Sequence, residues 1–399
     1  MNLTIFTLIY LSILRLLYLP IFGELSSLVS GGISVILGLL LLNVFKVDNS
    51  TLFIIPYSIL LFFLTLFSAD KSFFLVLLSF FETLTPFLII GVISSSNFKN
   101  YVNRNINFFK KGIILLFSIL LFGQFLNLIG FPLPSLYDIP IVAEFQGKFS
   151  TNSRITSFVG TSGPFSLCMA FLLISLQILY SKYYFLIFIF GILILLFSFS
   201  RLALASFIIF NFFNFIPIFI RFLTSKNLKI RKDLFFYLFF AISLVFVIVN
   251  SYFEQFYLLF IRFKDGLDFI NDQGNIGRLI SFKQLIFNIK ENSFTNILIG
   301  DGTGKTSMST SGFQGESQLG KIYVEWGLIG LSLVIFWILE ISNILKFKAN
   351  KVFLNFNGFS LAIFFTLIFN LLFIQSFTSS PVFVSMIFPL IANNHRSKE

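Results

Sequence analysis

The sequence predicts an all-α, polytopic membrane protein with about 12 transmembrane helices and one large extracytoplasmic loop between the ninth and tenth spans. Hydrophobic residues make up 57% of the 399-residue chain, and its mean hydropathy is +0.93. Charged residues make up only 11%, against roughly 25% in soluble proteins. So few charges cannot cover the surface of soluble domains. Apolar stretches long enough to cross about 30 Å of hydrocarbon as helices also recur along the chain.

Each predicted span is a stretch dominated by Phe, Leu and Ile. The spans are 2–19, 25–45, 51–68, 72–94, 112–130, 164–181, 183–199, 202–220, 234–250, 322–345, 352–374 and 378–392. The first carries Arg15 and lacks a small-residue cleavage site, so we expect a retained anchor rather than a signal peptide. Four regions follow from this division. They are the N-terminal helices 1–130, the central helices 131–250 with a short outside loop 131–163, the large loop 251–321, and the C-terminal helices and tail 322–399.

The short loops predict the orientation of these spans. Loops 97–111, 221–233 and 346–351 are rich in Lys and Arg and contain Asp233 as their only acid. Such loops accumulate on the cytoplasmic side, and with twelve spans all three lie on the same side as both termini. The net charge of +11 therefore indicates membrane orientation, and no nucleic-acid partner is expected. Loop 251–321 differs, because its seven basic residues are balanced by seven acidic ones.

Candidate binding residues lie in the predicted outside segments. Arg154, Arg201 and Arg278 each stand beside Gly, Ser or Thr turns, and Lys305 lies in the glycine-rich segment GDGTGKTS. Arginine offers a permanent charge and a planar fork for phosphate oxygens, so a lipid-linked diphosphate is a suitable ligand. The simpler reading of each residue is a solvated or snorkelling charge, and that of the glycines is a flexible turn. The segment lacks the first glycine of a nucleotide-binding loop, because that position is Ile299.

Two carboxylates are further candidates. Glu316, in the large loop, is suited to be a general base for a sugar hydroxyl or the partner of a structural ion pair. Glu82 lies within a predicted span, where an acid is a functional candidate by default. Histidine and thiolate chemistry is disfavoured, because His395 lies in the C-terminal tail and Cys168 is the only cysteine. No DxD-type acidic pair occurs in the outside loops, so we predict no metal site and no cofactor.

Four segments of the chain, between about residues 150 and 335, resemble the O-antigen polymerase and ligase superfamily of envelope polysaccharide assembly. They are RITSFVGTSGPFSL, SFSRLALASF, GRLISFKQLIFNIKENSFTNILIGDGTG and ESQLGKIYVEWGLIGL. Their order, spacing and shared sidedness carry the resemblance. Ligases of this superfamily have His where this chain has Glu316, so the likeness favours a Wzy-like polymerase.

The resemblance implies metal-independent glycosyl transfer at the outer face of a bacterial cytoplasmic membrane. A glycan on undecaprenyl diphosphate would pass to the sugar hydroxyl of a new lipid-linked repeat unit, for O-antigen, capsule or exopolysaccharide. Arg154, Arg201, Arg278 and Lys305 would bind diphosphate, with Arg201, Arg278 and Glu316 acting in catalysis. Lipid-linked glycans and membrane lipids are the expected partners, together with a flippase and a chain-length regulator. Two alternatives stay open, namely an O-antigen ligase-type transferase and a lipid-linked-oligosaccharide flippase or secondary transporter.

Overall fold

The computed structural model describes the chain in several ranges. These are residues 13–14, 32–33, 36–41, 43, 45, 63, 86, 89–129, 131, 157–159, 162–198, 200–224, 294–301, 318–345, 358–373 and 380–396. Every regular element named in these ranges is a helix, so the predicted all-α class is confirmed for them.

Nine α-helices occur among the described residues, and we number them in chain order. They are α1 (Ser96–Arg104), α2 (Ile106–Leu128), α3 (Ser162–Leu179), α4 (Tyr184–Phe197), α5 (Arg201–Thr224), α6 (Phe294–Ile299), α7 (Gln318–Ile344), α8 (Gly358–Phe373) and α9 (Ser380–Arg396). Two short 3-10 turns precede α3 and α4, at Ser157–Val159 and Ser181–Tyr183.

Two of the described helices are long and apolar enough to cross a membrane. They are Ile106–Asn127 of α2 and Leu319–Ile344 of α7. A third candidate is the pair formed by α3 and α4, which is bent by 109° at the break between its two helices. The apolar parts of α5, α8 and α9 are shorter than 18 residues. The described part of the chain therefore contains the long apolar helices that are typical of a membrane protein.

Helices therefore lie at the seven predicted spans that the structure describes well, from α2 to α5 and from α7 to α9. The predicted spans 2–19, 25–45, 51–68, 72–94 and 234–250 lie wholly or largely outside the described residues, as does Glu82. Most of the predicted loop 251–321 lies outside them too, and its described part contains α6. The prediction of twelve spans stays a prediction.

Helix α3 is the centre of the described core. Its residues from Phe165 to Ile178 are buried, and α9, α5 and α4 pack around it. Helix α5 pairs with α8 in the antiparallel direction. The Ser206 hydroxyl donates to Asn370 Oδ1 (3.2 Å). Asn214, which is later in α5, adjoins Gly358, which is earlier in α8, so the two helices run in opposite directions.

Helix α7 is interrupted at Gly327, whose φ of 61° and ψ of −154° are not helical. A Cβ atom on Gly330 would lie only 3.1 Å from the Ile322 carbonyl oxygen. Residues eight apart in an unbroken helix are separated by about 12 Å along its axis, so the chain bends sharply here. The part after the bend, residues 328–344, is about as long as the shortest helices that cross a membrane, which have roughly 17 residues.

Candidate functional site

Most of the predicted site residues lie outside the part of the chain that the structure describes. This applies to Arg154, Arg278, Lys305 and Glu316. Arg201 is the first residue of α5, three residues after Ser198, which follows the end of α4. The Ser200 hydroxyl oxygen accepts a hydrogen bond from the Ala203 backbone N–H (3.4 Å). Arg201 thus lies at a capped helix start that follows a short turn.

The C-terminal end of α2 contacts the last turn of α4 and the short turn that precedes α3. The Gln124 side-chain amide donates to the Ile194 carbonyl oxygen in α4 (3.0 Å). The Ser157 backbone N–H donates to Asn127 Oδ1 (2.9 Å), and its hydroxyl donates to the Leu120 carbonyl oxygen (2.7 Å). The ends of α2 and α4 and the starts of α3 and α5 therefore lie together, and we call this region the arginine end.

Ser157 has an unusual backbone conformation at the arginine end. Its φ is 47°, in the left-handed region, and the residue is fully buried. Non-glycine residues in this region are strained, and they persist where surrounding contacts determine the conformation. The two hydrogen bonds from Ser157 to α2 are contacts of this kind. Ser157 lies in the first segment of the resemblance, three residues after Arg154.

The third and fourth segments of the resemblance meet where α6 crosses α7. A Cβ on Gly300 would lie 2.5 Å from the Glu325 carbonyl carbon and the Trp326 nitrogen, and a Cβ on Gly327 would lie 2.5 Å from the Leu298 carbonyl. The Asp301 N–H donates to the Val324 carbonyl oxygen (2.7 Å). The two backbones are therefore in direct contact, and the glycine-rich segment that contains Lys305 starts from this crossing.

A buried ion pair lies in the first part of α7. Lys321 Nζ is 4.0 Å from Glu325 Oε1, and the two side chains are 6% and 1% exposed. This distance exceeds that of a hydrogen bond, so the attraction is mainly Coulombic. In the sequence, Glu325 directly precedes Trp326 and Gly327 near the start of the predicted span 322–345. The structure places Glu325 inside the protein, beside the backbone of Gly300.

A cluster of buried amides lies where the end of α3 and the start of α4 meet the middle of α5. Asn211 Oδ1 accepts hydrogen bonds from the Gln177 side-chain amide (3.0 Å) and the Tyr184 hydroxyl (2.5 Å). Tyr184 is also hydrogen-bonded to Asn214, which adjoins the start of α8 at Gly358. We call this region the amide end. Its hydrogen bonds join α3, α4 and α5 to one another.

Sequence reasoning missed the amides at both ends, because it looked for charged groups in the spans. The signal was present: Gln124, Asn127, Gln177, Asn211 and Asn214 all lie within predicted spans, where a polar side chain usually joins helices. In the described ranges no group of three or more His, Cys, Asp or Glu residues is arranged to hold a metal ion. No protein-family model matches the chain, and no curated protein matches it.

Proposed function

We propose that this chain polymerises oligosaccharide repeat units linked to undecaprenyl diphosphate at the outer face of a bacterial cytoplasmic membrane. One observation supports the proposal: Ile194 in the last turn of α4, seven residues before Arg201, and Ser157, three residues after Arg154, are both hydrogen-bonded to the end of α2. Arginines suit the binding of two diphosphates, because each guanidinium offers bidentate hydrogen bonds to phosphate oxygens.

The proposed reaction is a displacement at the anomeric carbon of the donor glycan. The acceptor hydroxyl oxygen forms the new bond to this carbon, and the bond from the carbon to the phosphate oxygen breaks. The diphosphate leaves with the electron pair, and Glu316 takes the hydroxyl proton. Arg154, Arg201, Arg278 and Lys305 bind the diphosphates and stabilise the charge of the leaving group.

The distribution of charge supports an orientation with the arginine end outside. The cationic residues of the described helices before α5 lie in α1, in the first part of α2, opposite the arginine end, and in the turn before Tyr184 of the amide end. They are Lys99, Arg104, Lys110, Lys111 and Lys182. An excess of Lys and Arg is typical of the cytoplasmic side, so we place the amide end there. If α7 and α8 are successive spans, they run in opposite directions, and the bend at Gly327 then lies at the outer face.

The test is complementation of a deletion strain with Arg201→Ala and Arg278→Ala. Each variant is expected to reduce polymer formation by roughly tenfold or more, because a hydrogen bond to a charged group contributes about 1.5–3 kcal/mol and each 1.36 kcal/mol is a factor of ten in rate. Arg104→Ala is the matched control, since Arg104 is an exposed arginine at the amide end. The readouts are surface polysaccharide length and the amount of each protein in the membrane.

The same strains separate the proposal from its alternatives. Loss of a polymerase leaves single repeat units on the final acceptor, whereas loss of a ligase leaves long chains on the carrier lipid. Loss of a flippase leaves single repeat units on the inner leaflet. Normal chain lengths with both Arg201→Ala and Arg278→Ala, at normal protein levels, would contradict the proposed function.

A further inference from the structure

The two amides near the end of α2, Gln124 and Asn127, stand out in the largely apolar part of the helix that follows Lys111. Gln124 is only 2% exposed, and its Oε1 is buried with no hydrogen-bond partner. A buried acceptor without a partner costs about 1–3 kcal/mol, so an apolar side chain would pack at this position at less cost. What the amide provides is a single long-range hydrogen bond to the Ile194 carbonyl oxygen.

The bond from Gln124 fixes the last turn of α4. The Ile194 carbonyl oxygen also accepts a hydrogen bond from the Ser198 N–H (3.1 Å). Ser198 is the residue that follows the end of α4. The chain then turns within three residues into Arg201 at the start of α5. Because this connection is so short, a shift of the end of α4 is transmitted directly to Arg201.

The bond from Asn127 fixes the turn at Ser157. Asn127 accepts the N–H of Ser157, whose left-handed backbone redirects the chain at this point. Arg154 precedes Ser157 by three residues in the sequence. Gln124 and Asn127 are three residues apart and therefore share one face of the helix.

We infer that Gln124 and Asn127 are positioning residues that hold the last turn of α4, which leads to Arg201, and the turn at Ser157 beside the end of α2. This inference rests on the proposed function for its consequence, which is correct spacing of the diphosphate-binding arginines. Neither amide takes part in the chemistry. Each acts through the backbone of the residue that it binds, Ile194 for Gln124 and Ser157 for Asn127.

The first experiment measures polysaccharide length with Gln124→Ala and Asn127→Ala in the deletion strain. Both variants are expected to reduce polymer formation roughly 10- to 100-fold at normal protein levels, the size of effect that a displacement of about 1 Å produces. Asn127→Asp keeps an acceptor for the Ser157 N–H and is expected to restore most of the activity. Gln177→Ala is the matched control, because Gln177 is a fully buried glutamine with one interhelical hydrogen bond at the amide end.

The second experiment does not depend on activity. Spin labels are placed at Ile155 and at Phe190, which is 57% exposed on α4, in the purified full-length protein. The distance distribution is expected to shift or broaden with Gln124→Ala and Asn127→Ala, and to stay as in the wild type with Gln177→Ala. Cys168 is buried, so the native thiol is not expected to take up label in the folded protein.

The two experiments separate the inference from the proposed function. If Arg201→Ala abolishes polymer but Gln124→Ala and Asn127→Ala retain it, the positioning inference is wrong and the proposed function stands. If Arg201→Ala and Arg278→Ala both leave chain length unchanged, the proposed function is wrong and the spin-label distances decide the inference. An unchanged distance in both α2 variants overturns it, and a changed distance in both supports it.

Discussion

The crossing of α6 and α7 leaves no room for a side chain at Gly327. Its φ of 61° and ψ of −154° lie in a region that is essentially restricted to glycine and costs an L-residue roughly 1–3 kcal/mol. A Cβ here would also lie 2.5 Å from the carbonyl carbon and oxygen of Leu298 and 2.7 Å from the Gly300 nitrogen. These are backbone atoms, so no flexible side chain can move aside. Gly327→Ala must therefore displace α6 by about 1 Å to reach ordinary contact distance.

Displacement of α6 also breaks the hydrogen bond from the Asp301 N–H to the Val324 carbonyl oxygen. Such a bond contributes about 0.5–1.5 kcal/mol. Together with the backbone strain, the lost hydrogen bond is expected to lower the free energy of unfolding of Gly327→Ala by about 1.5–4.5 kcal/mol. Gly300→Ala disrupts the same crossing, so the double variant is expected to lose less than the sum of the two single losses.

Tryptophan fluorescence is a local assay of this crossing. The chain has 2 tryptophans, Trp326 and Trp337, and both are fully buried in α7. Trp326 directly precedes Gly327, so displacement of α6 is expected to shift its emission to longer wavelength and to lower the thermal unfolding midpoint in detergent. Gly32→Ala is the control, because a Cβ on Gly32 would meet nothing within 4 Å. Wild-type emission and midpoint in Gly327→Ala would refute the reasoning.

Two further predictions concern the amide end and the orientation of the chain. Asn211→Ala removes the acceptor of two buried donors, and is expected to cost about 2–4 kcal/mol of stability; a thermal midpoint equal to that of the wild type would contradict this. Phe131→Cys at the arginine end is expected to react with a membrane-impermeant maleimide from outside, and Tyr183→Cys only after permeabilisation. Both positions are more than half exposed, whereas the native Cys168 is buried. The reverse labelling pattern would contradict the proposed orientation.

The helices were largely predictable from the sequence because hydrophobicity is a local signal. The predicted span 164–181 matches α3 at Ser162–Leu179, and 322–345 matches α7 at Gln318–Ile344. The start of α2 was placed six residues late, at 112 rather than 106. The lysines at 110 and 111 ended the apolar stretch but did not end the helix, since long cationic side chains can extend their stems along a helix while the charge reaches water.

The bend in α7 was not predictable by the same reasoning. Gly327 and Gly330 occur in an apolar stretch that is typical of a continuous span, and glycine is common in membrane helices. The bend depends on a contact with Gly300, which is 27 residues earlier in the chain. Hydropathy contains no information on such a pairing. The sequence did single out both segments, through their glycines, but not their contact.

The buried amides at the arginine end and at the amide end have different hydrogen-bond partners. This difference favours the arginine end as the proposed diphosphate-binding site. At the amide end, Gln177, Tyr184 and Asn211 bond to one another between helices. Such polar contacts stabilise packing in a membrane. At the arginine end, Gln124 and Asn127 bond instead to the backbone of a helix terminus and of a strained turn. A protein that needed only stable packing would not require strain at Ser157, whereas one that must place two arginines against a diphosphate requires a defined turn.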